Sequence, residues 1–184
     1  LLVVISGLPG TGKTTLGIRL SGELGLPFFY KDGFKERMFD ALGNASVSRE
    51  LSQFLGRFSI DCLEIIAWEM ISKRKTVMIE ANFDVRLFSP FLAKLKDEFE
   101  VQIAQILLEA EGQTLLDRFI EREHGSRHPG HGGIQDLERI TPILLEGKIG
   151  PLAVESEVLT LNTTVFSEAN YDLAQTFLSS FLIA

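Results

Sequence analysis

Gly7-Leu8-Pro9-Gly10-Thr11-Gly12-Lys13-Thr14-Thr15 satisfies the pattern G-x-x-x-x-G-K-[ST] at every position. The spacing has a chemical reason. Glycines let the backbone wrap a phosphate with its N–H groups turned inward. A helix starting near Lys13 points its positive end at the same anion. In such a loop the lysine bridges the β- and γ-phosphates and the first hydroxyl after it binds Mg²⁺. Gly7, Gly10, Thr11, Gly12, Lys13, Thr14 and Thr15 are therefore the expected contacts of a nucleoside triphosphate, with Thr14 as a metal ligand.

The flanks supply the context this loop requires. Residues 1–6 are a continuous apolar run, as expected of a strand buried on both faces. Residues 13–24 place Leu16, Leu20 and Leu24 on one helical stripe, ended by Gly25 and Pro27. Further along, strand signals at 27–30, 76–80, 101–108 and 158–161 alternate with helical patterns at 34–42, 47–73, 113–123 and 168–182. Ser89-Pro90 opens another helix, to about Phe99, and Thr141-Pro142 opens or kinks one more. Five short apolar strands separated by helices predict an α/β fold, a parallel sheet covered on both faces. Ligands then bind beyond the carboxyl ends of the strands.

The chain has 184 residues, 45% apolar and 23% charged, which suits one domain spanning 1–184. No apolar run approaches the roughly 18–20 residues needed to span a bilayer. The net charge of −7 excludes a broad basic field for nucleic acid or anionic lipid. Cys62 is the single cysteine and has no internal disulfide partner, which suits a reducing, cytoplasmic setting. Residues 1–5 lack a charged n-region and do not read as a signal peptide. The sequence does not open with Met, so a few preceding residues are expected.

A GTPase would carry Asn-Lys-x-Asp, and the sequence has none. Asp40-Ala41-Leu42-Gly43 matches D-x-x-G, but it follows a helical pattern. An oligomeric AAA-type motor has an apolar strand ending in Asp-Glu, whereas residues 76–80 end in Glu80-Ala81. The combination of the phosphate loop, Lys31-Asp32-Gly33-Phe34-Lys35-Glu36, Ile79-Glu80-Ala81-Asn82-Phe83, and Arg118 through Arg122 to Arg127-His128-Pro129-Gly130-His131 resembles the small P-loop kinases. These are relatives of gluconate kinase, shikimate kinase, chloramphenicol phosphotransferase and polynucleotide kinase. The resemblance implies a three-layer P-loop NTPase fold with sheet order 2-3-1-4-5. It also implies a helical lid, about 113–135, that closes over ATP.

The same resemblance gives roles to single residues. Asp32 follows the second strand, where an acid accepts the proton of the acceptor hydroxyl or helps hold Mg²⁺. Its plainer reading is an Asp-Gly turn. Lys35 faces the acceptor or sits on an exposed helix. Glu80, at the end of the third strand, holds a Mg²⁺-bound water, or else caps a helix or pairs with a cation. Asn82 orients a phosphate or the acceptor, and Arg86 is a weaker phosphate contact. Arg118 and Arg122 share a helix face and, with Arg127, neutralise the transferring phosphoryl group; otherwise they pair with Glu121 and Glu123 in solvent. Gly125, Gly130, Gly132 and Gly133 supply hinges. Asn162 and Thr163 lie beside the adenine.

His124, His128 and His131 fall in the lid without a cysteine, which favours contacts to phosphate or substrate over zinc. Arg57 reads as a surface residue, though its helix lies where acceptors bind in these kinases. Residues 173–181 carry an apolar face that packs internally or forms a homodimer. The expected activity is ATP- and Mg²⁺-dependent phosphoryl transfer to a hydroxyl of a small molecule. A polynucleotide or tRNA kinase and a non-catalytic ATP-binding regulatory module are the competing readings.

Overall fold

The computed structural model describes residues 1–43, 48–125, 127–131 and 137–182. Among the described residues twelve elements follow one another: β1 (Leu2–Gly7), α1 (Lys13–Leu24), β2 (Phe28–Tyr30), α2 (Lys31–Ala41), α3 (Arg49–Ser72), β3 (Val77–Glu80), α4 (Val85–Glu98), β4 (Ile103–Glu109), α5 (Gly112–His124), α6 (Leu137–Leu145), β5 (Glu157–Asn162) and α7 (Glu168–Leu182). The five strands form one parallel sheet of order β2-β3-β1-β4-β5, as the resemblance implied.

Alternation along the strands sorts the core into two layers. Leu2 and Val4 of β1 face Leu63 and Ala67 of α3 and Leu92 and Leu95 of α4. Val3 and Ile5 face the other way, onto Leu16 and Leu20 of α1 and Ala174 and Leu178 of α7. A third cluster, Leu8, Leu115, Phe119 and Leu144, sits past the strand ends and ties α5 and α6 to the phosphate loop. Phe177 and Phe181 pack against the α7-side core, while Leu173 is exposed. No helix among the described residues is long and apolar enough to cross a membrane.

Three helix starts lie three or more residues before the sequence reading. α2 begins at Lys31, directly after β2, so Asp32 lies in a first helical turn and not in an Asp-Gly turn. Gly33 permits this, because a Cβ there would stand 2.8 Å from the Tyr30 ring. α4 begins at Val85, and Pro90 lies inside it. The Asp84 carboxylate caps that helix by accepting from the Arg86 and Leu87 N–H groups. Phe83 and Phe88 stack at 4.0 Å, a staple between the residue before the cap and the first turn. α6 likewise starts before Pro142, at Leu137. Gly132, Gly133, Val47 and part of the expected lid lie outside the described residues.

Candidate active site

Strand register brings the site together. Ile5 of β1 pairs with Glu80 of β3, and Glu80 pairs with Tyr30 of β2. The residues that follow these positions therefore emerge side by side at one edge: the phosphate loop, Ala81-Asn82, and Lys31-Asp32. α5 and the segment after it close the opposite wall. The resulting cavity has a volume of about 430 Å³ and is lined by Gly10, Gly12, Lys13, Thr14, Thr15, Asp32, Lys35, Glu80, Asn82, Arg118, Arg122, Arg127 and His131, among others.

The phosphate loop has the backbone its glycines allow. Gly7, Gly10 and Gly12 have φ of 151°, 89° and 86°. At Gly7 a Cβ would lie 2.4 Å from the Leu108 carbonyl oxygen, because β1 and β4 pair there. Thr11 Oγ1 and Lys13 Nζ donate to the Leu8 carbonyl at 2.9 and 3.0 Å. Lys13 is buried, with its ammonium turned onto the loop it serves. Thr14 Oγ1 donates to Glu80 Oε2 at 2.7 Å. Burial lowers the Lys13 ammonium and raises the Glu80 carboxyl, and the attraction between the two opposes both shifts.

These residues fit a bound phosphate and a divalent cation. Arg122 lines the cavity with its Nε buried and without a hydrogen-bond partner, a donor left for an anion. Thr14 and Glu80 form a hydroxyl–carboxylate pair of hard oxygen donors beside the loop, which suits Mg²⁺ directly or through its waters.

Asp32 faces the cavity, with Oδ2 at 3.6 Å from Arg127 Nη2. Burial alone would raise its carboxyl, but the charges of Lys31, Arg127 and Lys13 and, in acid, of a protonated His131 outweigh it and hold the group below the ordinary aspartate range. Lys35 is buried and donates to Ser52 Oγ at 2.8 Å, so it is not an exposed helix lysine. Lys31 Nζ donates to Asn82 Oδ1 at 3.3 Å.

Other residues are placed differently from expectation. Arg118 lines the cavity, yet its guanidinium donates to the carbonyls of Gly10, Thr163 and Thr164 at 3.0–3.2 Å. It ties the phosphate loop to the segment after β5. Asn162 Oδ1 accepts from the Thr164 N–H, and the Thr163 hydroxyl donates to the Glu109 carbonyl. Their side chains hold that segment's shape and do not line the cavity. Arg86 is exposed beside Asp84, outside it. His128 and His131 turn onto α2, at 3.0 Å from Asp40 and from Glu36. Carboxylates spaced along α2 claim these rings before a ligand does. Among the described residues no group of three or more His, Cys, Asp or Glu forms a metal cluster.

Ser52 went unseen in the sequence, Glu36 entered only within the Lys31–Glu36 segment, and Glu123 only as a solvent partner of Arg118 and Arg122. Only Glu123 carried a local signal, its spacing of four to Arg127, whose Nε lies 3.3 Å away. A second cavity of about 530 Å³ shares Lys31, Lys35, Ser52, Asn82 and Arg139 with the first and extends to Arg57, Ile60, Asp61, Glu64, Phe83 and Phe88.

The sequence model of a family described as an AAA domain matches residues 2–141. The chain belongs to that AAA domain family. A presumed kinase from Chloroflexus aurantiacus is 32% identical, over 97% of this chain and 96% of that one, with a TM-score of 0.86. Kti12 of Chaetomium thermophilum, solved with ADP-AlF3, is 13% identical over 98% of each chain, with a TM-score of 0.67. A gluconokinase from Sinorhizobium meliloti 1021 is 15% identical over 97% of this chain and 91% of that chain, with a TM-score of 0.54. The two distant likenesses show the fold of this member of the AAA domain family, the three-layer P-loop NTPase fold. A curated relative, the zinc metalloprotease FTSH 11 of Arabidopsis thaliana, is 48% identical over 42 residues, which are 22% of this chain and 5% of the protease.

Proposed function

We propose that this protein is a phosphotransferase that moves the γ-phosphoryl group of ATP to a hydroxyl of a small molecule. The observation that carries the proposal is the convergence of Lys13, Asp32, Arg122 and Arg127 on one cavity beyond the strand ends. Bound ATP with Mg²⁺ supplies the transferable group and part of the charge neutralisation. The residues divide the remaining work. The loop amides and Lys13 hold the phosphates, and Thr14 and Glu80 are the residues that would hold the metal. Asp32, ionised at neutral pH, accepts the hydrogen bond of the acceptor hydroxyl and takes its proton as the bond to phosphorus forms. A loose transfer needs such a positioned acceptor more than a strong base. Arg122 and Arg127 face the charge that spreads over the transferring group. The second cavity, which opens onto Asn82 and Lys35, takes the body of the acceptor. Arg118 and the Asn162-Thr163 segment frame the base end of the nucleotide. The kinase name of the Chloroflexus relative supports the same reading.

Asp32→Asn separates binding from chemistry. The variant is expected to keep the melting shift produced by Mg²⁺ and ATP while acceptor-dependent turnover falls about 10²–10⁴-fold. Near-normal turnover would remove Asp32 from the mechanism.

A further inference from the structure

Asp32 and Glu36 are four apart on α2, so their carboxylates share one helix face. Arg127 and His131 are four apart in the segment that closes over that face. The four side chains interleave. Arg127 Nη2 lies 3.6 Å from Asp32 Oδ2 and 3.0 Å from His131 Nδ1, and His131 Nε2 lies 3.0 Å from Glu36 Oε1. The His131 side chain is 5% exposed.

The donor inventory allows one arrangement. A guanidinium only donates, so His131 Nδ1 accepts and carries no proton. The proton is then on Nε2, which donates to the Glu36 carboxylate. Protonating Nδ1 would set a donor against a donor. Burial keeps the ring neutral, driving its pKa down to about 3 despite the opposing pull of Asp32. Arg127, Lys35 and Lys31 also face the ring and act in the same direction as burial. Arg122 and Glu123 of α5 adjoin Arg127.

The arrangement has a consequence at Asp32. The contact from Arg127 is ionic and longer than a hydrogen bond, so the carboxylate keeps its lone pairs. The imidazole accepts one of the two Nη2 hydrogens and so anchors that nitrogen at 3.6 Å from Asp32. We propose that Glu36 and His131 are positioning residues: through the imidazole they hold Arg127 beside Asp32 without letting it close the pair. This rests on reading Asp32 as the group that receives the acceptor hydroxyl.

Two measurements on the full chain test the proposal. The first is ¹⁵N NMR of the His131 ring. The neutral Nε2–H tautomer is expected, with no titration between about pH 5 and 8, and Glu36→Gln is expected to admit the Nδ1–H tautomer. A ring that titrates near 6.5, or that is Nδ1–H in the wild type, overturns the proposal. The second is a double-mutant cycle on acceptor turnover. His131→Ala is expected to lower kcat about 10–100-fold with KM for ATP unchanged, and His131→Gln, which can accept and donate at the same places, to restore most of it. In an Arg127→Ala background His131→Ala should cost nothing further, because it acts through Arg127. Full additivity, or an unaltered kcat in His131→Ala, also overturns it. If the wild type transfers phosphate to no acceptor, the proposed function fails, while the ring spectrum still judges the arrangement.

Discussion

At the scale of single residues, position in the cavity matters more than residue type. Glu80 ends a buried strand, and its register with Ile5 sets it beside Thr14. Glu80→Gln keeps the shape but weakens the oxygen pair. The Mg²⁺ concentration for half-maximal turnover is expected to rise about 10–100-fold, read by metal titration at saturating ATP. Asp32 carries a pH signature. Its folded pKa is depressed, so its contribution to stability is complete above the ordinary aspartate pKa and is lost as pH falls through the folded value. The stability of the wild type relative to Asp32→Asn should therefore decline on acidification below about pH 4 and be constant above it. Denaturant titrations across that range measure this. The phosphate-loop residues were legible because eight consecutive positions, Gly7 to Thr14, carry the whole pattern. The partners of the histidines were not legible. His128 meets Asp40 and His131 meets Glu36 across 88 and 95 residues of chain, and no local spacing announces such pairs.

At the scale of elements, the apolar runs marked the strands because a sheet buried on both faces leaves no room for polar alternation. Helix starts were harder. α4 was expected to open at Pro90, the position where proline is best tolerated, yet the helix starts five residues earlier. The cap at Asp84 and the Phe83–Phe88 stack outweigh the hydrogen bond that Pro90 forgoes. Asp84→Ala should cost about 1 kcal/mol, a fall of roughly 2–4 °C in melting temperature. α2 was expected to start at Phe34, because Asp32-Gly33 has the composition of a turn. With no Cβ, Gly33 leaves room for the Tyr30 ring three residues back, so the helix can start directly after β2. Propensity does not register so close an approach. Arg118 shows the same limit at an element's surface. Its helix face was read correctly, but three carbonyls from two other segments claim its guanidinium.

At the scale of the whole molecule, the sheet order follows from the family resemblance, not from periodicity, since five parallel strands of similar composition admit several orders. The β2-β3-β1 half carries Asp32, Glu80 and Asn82, the proposed metal and acceptor side of the cavity, and β1-β4-β5 frames the far end of the phosphate loop. Closure joins the halves, because residues 127–131 dock on α2 through both histidines. Ligand binding should therefore stabilise the whole domain. ATP with Mg²⁺ at about 100 times its Kd is expected to add about 2.7 kcal/mol, raising the melting temperature by roughly 5–11 °C. Lys13→Ala should abolish that shift and leave the unliganded melting temperature within a few degrees of wild type.

The most direct test of phosphoryl transfer follows the label. The protein is incubated with Mg²⁺, ATP labelled at the γ-phosphorus, and a panel of acceptors: sugar acids, nucleosides, amino alcohols, aminoglycosides, chloramphenicol and 5′-hydroxyl oligonucleotides. The account predicts label on a small hydroxyl acceptor, in step with ADP, and no label with Asp32→Asn. Bound ATP that yields only inorganic phosphate, or no product with every acceptor, would contradict it.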